Sequence, residues 1–357
     1  MRILAVNPGS TSTKIAIFEN KKEVWDLKLT HSNEELAPFG SNVFEQYPFR
    51  RDVIVNAINE AGYPVASLDG IVGRGGLVKP IPGGTYIVDE NLLEDLKIGI
   101  LGQHASNLGG PIAAELAKTA NCDAFIVDPV VVDEMEPIAK FTGNPLLTRK
   151  SIFHALNQKA VARRAAQELG KKYNESNFVV IHLGGGISVG AHRKGQVIDV
   201  NNALDGDGPF TPERSGGLPA GDLAKLCYSG KYTLADIKKM IKGDGGIVAY
   251  LGTNDMMKVE DEVNAGNEEW LKVYKAMAYQ IAKETGAMAT VLKGDVDAIV
   301  VSGGIAYDKK FIGWLKEQID FLGKVIVYPG EMEMEALALG AYRVLSKQEE
   351  PKVYNPE

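Results

Sequence analysis

Two related α/β domains in one chain are predicted by three observations. An apolar strand, a small-residue loop and a second apolar strand occur twice, as ILAVNPGSTSTKIAIF at 3–18 and FVVIHLGGGISVGAH at 178–192. Both copies run through a Lys-containing turn into a strand with Val-x-Asp, 15 positions on in one (24 minus 9) and 13 in the other (197 minus 184). LDGIVGRGG at 68–76 and AFIVDP at 124–129 are then answered, in the same order, by VDAIVVSGG at 296–304 and KVIVYP at 324–329. The length agrees, since 357 residues at 45% hydrophobic content exceed one typical core.

Ile3 to Val6 and Ile15 to Phe18 read as strands, and the loop between them joins strand to strand. That excludes a Walker A loop, which needs a second Gly before its Lys and must open a helix. A turn at Asn20 to Lys22 and a strand near Glu23 to Leu29 complete a meander. SIFHALNQKAVARRAAQELG at 151–170 predicts a helix opening on Ser151 and closing at Gly170. It sets the expected division: 1–150 with 331–357 in the first domain, 151–330 in the second. Trp270, Tyr274, Met277, Ile281, Met288 and Leu292 recur at helical spacing, as a core helix requires. In EMEMEALALGAYRVL at 331–345, Ala336 and Gly340 give one smooth face, and this helix is expected to return to the first domain.

A formal charge of -7 with no block of Lys and Arg argues against nucleic acid or acidic membranes as partners. The apolar start of MRILAVNPG is too short for a signal peptide, and no run reaches the length of a membrane helix, so a cytoplasmic location is expected. Cys122 and Cys227 lie 105 positions apart (227 minus 122) and read as buried thiols.

Paired Gly/Ser loops from two domains would face a cleft with backbone N–H groups, which suits a polyphosphate. Asn7, Ser10, Ser12 and Lys14 add donors and a charge on the first loop; His182 and Gly184, Gly185 and Gly186 supply the second. A plain hairpin accounts for one such loop alone, but less well for a duplicated pair. Arg74, where a buried strand gives way to glycines, reads as a carboxylate or phosphate ligand. Arg214 lies in DGDGPFTPERSGGLPAGD, a Gly/Pro-rich loop long enough to be functional. Two such arginines could stabilise a phosphoryl group in transit. Asp128 ends one strand, and Glu331 and Glu333 follow its counterpart; these hard carboxylates suit Mg²⁺, although charge at a helix N-terminus explains the glutamates equally well. His154 falls in the first turn of its helix, while His31, His104 and His192 have weaker contexts.

Taken together, NPGSTSTKIAIFE, GRGG, FIVDP, IFHALN, HLGGG, PERSGG, SGGIA and PGE come in the order found in acetate and butyrate kinases, which this chain resembles over essentially its whole length. The resemblance is closest to the butyrate kinases. It implies two duplicated ribonuclease H-like (actin-like ATPase) domains with a nucleotide cleft between them, a homo-oligomer, and reversible transfer of the ATP γ-phosphoryl to a short-chain carboxylate. By resemblance, Asn7, Ser10, Ser12 and Lys14 lie by the phosphates and metal; His154, His182 and Arg214 stabilise the phosphoryl group; Arg74 binds the substrate carboxylate. Asp128 is similarly implied to position Mg²⁺, and Ser302, Gly303, Gly304 and Ile305 to form the adenosine loop. Acetate kinases have a paired Glu after the final proline, where this chain alternates its acids as Glu331, Glu333 and Glu335. They also follow their arginine with bulky residues, where this chain has Gly75 and Gly76. Those glycines are expected to enlarge an acyl pocket completed by Ala105, Phe153 and Pro209, favouring butyrate over acetate about tenfold from roughly 0.8 kcal/mol per buried CH₂. The alternatives are an acetate or propionate kinase, or a non-catalytic nucleotide switch like the chaperones and actin of the same superfamily.

Overall fold

In the computed structural model, residues 1–40 and 42–355 are described. The chain divides into two compact units, Met1–Asp133 with Met332–Glu357, and Glu134–Glu331.

The first unit is built on a sheet of order β3-β2-β1-β4-β6-β5. Its strands are β1 (Arg2–Pro8), β2 (Ser12–Glu19), β3 (Lys22–Thr30), β4 (Gly70–Arg74), β5 (Thr85–Ile87) and β6 (Asp123–Val127). β1, β2 and β3 form the antiparallel meander, and β1, β4 and β6 run parallel. The second unit repeats the order as β9-β8-β7-β10-β11, from β7 (Asn177–Leu183), β8 (Ile187–Arg193), β9 (Gln196–Val200), β10 (Ala298–Gly303) and β11 (Val325–Pro329). The three duplicated motifs thus occupy the same five sheet positions, and β5 is an addition to the first.

The strands that carry glycine do so where a helix comes close. α1 (Tyr47–Glu60) and α2 (Gly109–Ala120) pack in the first unit, α2 against β4 and β6. A Cβ at Gly73 would fall on the backbone of Gly109, and one at Gly109 on that of Arg74, so only glycine permits this approach. In the second unit, α3 (Ala155–Glu168) packs on β7 and β10, and α4 (Glu268–Val291) on β8. Tyr274, Met277, Ile281, Met288 and Leu292 are buried along α4, and Trp270 packs partly buried against the same core. α5 (Glu333–Leu345) lies on β1, β4 and β6, where a Cβ at Gly340 would meet the Val127 methyls at 2.5 and 2.8 Å.

Three sequence expectations change. Residues 134–150 go with the second unit, because Glu134 makes a buried ion pair with Lys159 at 2.8 Å, Glu136 N–H donates to Ile198, and Arg149 pairs with Asp199. The boundary is set by these contacts, not by the helix start. That helix begins at Ala155 with His154 at its N-cap, not at Ser151, which is buried. Of the two thiols, Cys227 is exposed and Cys122 only partly buried.

Candidate active site

Ligands in open α/β sheets bind beyond the carboxyl ends of the parallel strands, and the predicted residues collect there in each unit. In the first, Asn7 lies near the end of β1, Arg74 ends β4 and Asp128 follows β6. The 9–11 turn is a hairpin closed by Gly9 N–H donating to Ser12 O at 2.7 Å. Beneath it sits Arg50, wholly buried, which sequence reading missed. Its Nη1 donates to Gly9 O at 2.7 Å and Ser12 O at 3.1 Å, and its Nη2 to Ser10 O at 2.8 Å. Gln46 accepts from Nε and Nη2, and burial pushes the guanidinium down to about 10. The clamp draws three loop carbonyls inward and leaves a positive charge under the turn, both of which favour an anion at the loop's N–H groups. A signal existed: positions 50, 54 and 58 share one helix face, and Ile54 and Ile58 are wholly buried.

Glu333, in the first turn of α5, accepts from Asn7 Nδ2 at 2.8 Å and pairs with Arg74. Asp128 accepts from Gly84 N–H at 2.7 Å and adopts a φ of 38°, which is unusual for a non-glycine residue. Glu331 belongs to the other unit and lies 3.9 Å from His182 Nε2. The three acids expected to serve a metal therefore have separate protein partners. Among the described residues no group of three or more His, Cys, Asp and Glu is placed to hold one. Ser10 and Lys14 are exposed and Ser12 partly so.

Gly75 and Gly76 do not open a pocket. A Cβ at Gly75 would meet Pro129 at 2.7 Å, and one at Gly76 would meet Asn107 at 2.5 Å and Leu96 at 2.6 Å. The space a bulkier residue would fill is already taken by this unit's own packing. Ala105, Phe153 and Pro209 are buried, the first within unit one and the other two within unit two.

In the second unit, His182 lies near the end of β7 and stacks on His154 with ring centroids 3.9 Å apart. Asn157 Oδ1 lies 3.0 Å from His182 Nδ1 and accepts from Ser302 Oγ at 2.7 Å. Ser302 is thus buried behind the histidines instead of facing a nucleoside, and Gly303 is held by paired main-chain bonds to Gly330. Gly304 and Ile305 do line a cavity of about 700 Å³, with Gly184, Gly185 and the missed pair Glu213 and Met256. Arg214 comes to the loop from the other side: a Cβ at Gly186 would strike its guanidinium, and Nη1 donates to Ala203 O. Gly186 is needed to admit this arginine. Its Nε is buried without a partner and burial lowers its pKa, so the guanidinium is desolvated and ready for an anion.

Comparison with known proteins bears on this arrangement. The sequence profile described as Acetokinase family matches residues 135–348. The chain belongs to the acetokinase family. Within it, the chain is 54% identical over 353 residues to butyrate kinase 2 of Clostridium acetobutylicum and 53% identical to butyrate kinase 1 of that organism, covering 99% of each chain in both cases. The acetate kinase of Porphyromonas gingivalis superimposes with a TM-score of 0.77 at 18% identity, covering 97% of this chain and 99% of that one. The fold is therefore that of the acetokinase family, with the ribonuclease H-like domain present twice. Among the described residues no helix is long and apolar enough to cross a membrane.

Proposed function

We propose that the protein transfers the γ-phosphoryl of ATP reversibly to the carboxylate of butyrate or a branched short-chain acid, giving an acyl phosphate and ADP. The observation that carries this reading is full-length similarity, above half identity, to two butyrate kinases. The carboxylate is already ionised and nucleophilic at neutral pH, so no general base is needed and no covalent enzyme intermediate forms. Arg74 orients the acid, with Glu333 fixing its guanidinium. In the second unit the cavity beside Gly304 and Ile305 takes the nucleoside and the Gly184 to Gly186 loop takes phosphates; in the first, the Arg50-braced loop offers its N–H groups to an anion. His154, His182 and Arg214 donate to the phosphoryl oxygens as charge shifts from ADP to the acid. Asp128 supplies the hard carboxylate that would hold Mg²⁺ together with phosphate oxygens, and the ion would neutralise phosphate charge when bound, while Glu333 stays with Asn7 and Arg74. The exposed apolar residues Ile138, Phe141, Leu146 and Leu147 suit burial in a homo-oligomer.

ATP-dependent hydroxamate formation across acetate, propionate, butyrate and isobutyrate tests the reading. The highest kcat/KM is expected with a four-carbon acid. A maximum at acetate or propionate replaces the substrate, and no hydroxamate with any acid favours a nucleotide switch.

A further inference from the structure

A polar chain runs from His154 into the core of the second unit. His154 Nδ1 is 2.9 Å from Ser188 Oγ; Gln158 Nε2 donates to Ser188 Oγ at 2.8 Å and to the Ser188 carbonyl at 3.0 Å. Gln158 Oε1 is 2.9 Å from His192 Nε2, and His192 Nδ1 is 2.9 Å from Tyr173 Oη. Ser188, Gln158 and His192 are wholly buried.

The direction of each link through Gln158 is forced. A main-chain carbonyl only accepts, so the atom of Gln158 facing Ser188 O must be Nε2, and Oε1 must face His192. His192 Nε2 therefore carries a proton. Burial, with Lys159 and Arg163 nearby, keeps that ring neutral, so its Nδ1 accepts from the Tyr173 hydroxyl. At the other end Ser188 Oγ accepts from the Gln158 amide, and His154 Nδ1 is the acceptor within reach of the serine hydrogen among the described residues. We propose that Ser188, Gln158 and His192 are positioning residues that hold His154 in the tautomer with its proton on Nε2, a neutral hydrogen-bond donor of fixed orientation. A proton on Nδ1 would leave the Ser188 hydroxyl hydrogen without its acceptor at a site closed to water. This deepens the reading of His154 as a phosphoryl ligand, and its catalytic part rests on that reading.

The test is ¹⁵N NMR of histidine-labelled full-length protein, with the His154 signals assigned by their loss in His154→Gln. The wild type is expected to show protonated Nε2 and bare Nδ1, a result independent of any substrate. Ser188→Ala is expected to give a mixed tautomer and at least a tenfold fall in kcat, with the KM for ATP within twofold. Protonated Nδ1 in the wild type overturns the relay. So does a Ser188→Ala protein with the wild-type spectrum, while an altered spectrum with unchanged kcat overturns the relay's catalytic part. Should Ser188→Ala not fold, Gln158→Glu gives the second reading, because a carboxylate cannot donate to Ser188 and is expected to release the same tautomer. Absence of acyl phosphate formation by the wild type would defeat the assigned reaction while the nitrogen spectrum still decides the relay.

Discussion

Replacing Arg50 by methionine removes the guanidinium from beneath the 9–11 turn while keeping most of the buried aliphatic stem. Three main-chain carbonyls, those of Gly9, Ser10 and Ser12, lose a charged donor, as do Gln46 Oε1 and Thr13 Oγ1. Each buried acceptor left unmade costs about 1–3 kcal/mol, and those at the turn sit at the low end because water reaches the partly exposed Gly9 and exposed Ser10. Against this, Arg50 is wholly buried and burial lowers its pKa, so its removal relieves the cost of burying a cation. The balance is about 3 kcal/mol of destabilisation, a fall of roughly 6–12 °C in Tm for a domain of this size. Because the freed carbonyls no longer point inward, the KM for ATP is expected to rise about tenfold. Scanning calorimetry and ATP titration of the kinase rate measure the two effects. Arg50→Lys should recover part of each, since one ammonium cannot span the same acceptors. Wild-type Tm and KM in Arg50→Met would refute the clamp.

Arg214→Ala is expected to lower kcat by roughly 10²–10³ with modest change in nucleotide affinity, as loss of a donor to developing charge should; near-normal turnover in a steady-state assay would contradict its role. Gly76→Val is expected to lower Tm through collision with Asn107 and Leu96, so a stable variant with altered acyl preference would restore the pocket reading. Glu284 is held protonated up to about 7 by burial and by Asp207, against 4.5 for the ordinary group. The native state thus holds an extra proton between those values, and stability falls as pH rises through that window by about 3 kcal/mol. Glu284→Gln should be more stable than wild type at pH 8 and equal to it at the acid end of the window; urea unfolding at both pH values checks it. His192 acts in the opposite sense, since a buried neutral ring lets the unfolded chain bind more protons below 6.5.

Strand order was legible because the repeated motifs are short, local and in sequence, and they occupy the same sheet positions in both units. The positions of Arg74, His154 and His182 at strand and helix ends, and of Arg214 in the long loop between Val200 and Ala220, could be read for a related reason: each breaks an apolar or glycine pattern. What stayed hidden lay behind those residues. Arg50, Gln158, Ser188 and His192 are polar groups on buried faces, and only tertiary contacts reveal that they are satisfied and by what. Glycine was read wrongly for a physical reason as well. A missing side chain at Gly76 opens space only if no neighbour fills it, and Asn107 and Leu96 do.

The most direct measurement is ³¹P NMR of the products formed from ATP and butyrate labelled with ¹⁸O in its carboxylate. Attack by the carboxylate on the γ-phosphorus predicts ADP and acyl phosphate in equal amounts, with ¹⁸O in the bridge between carbon and phosphorus. ADP with inorganic phosphate and no labelled acyl phosphate would contradict the account.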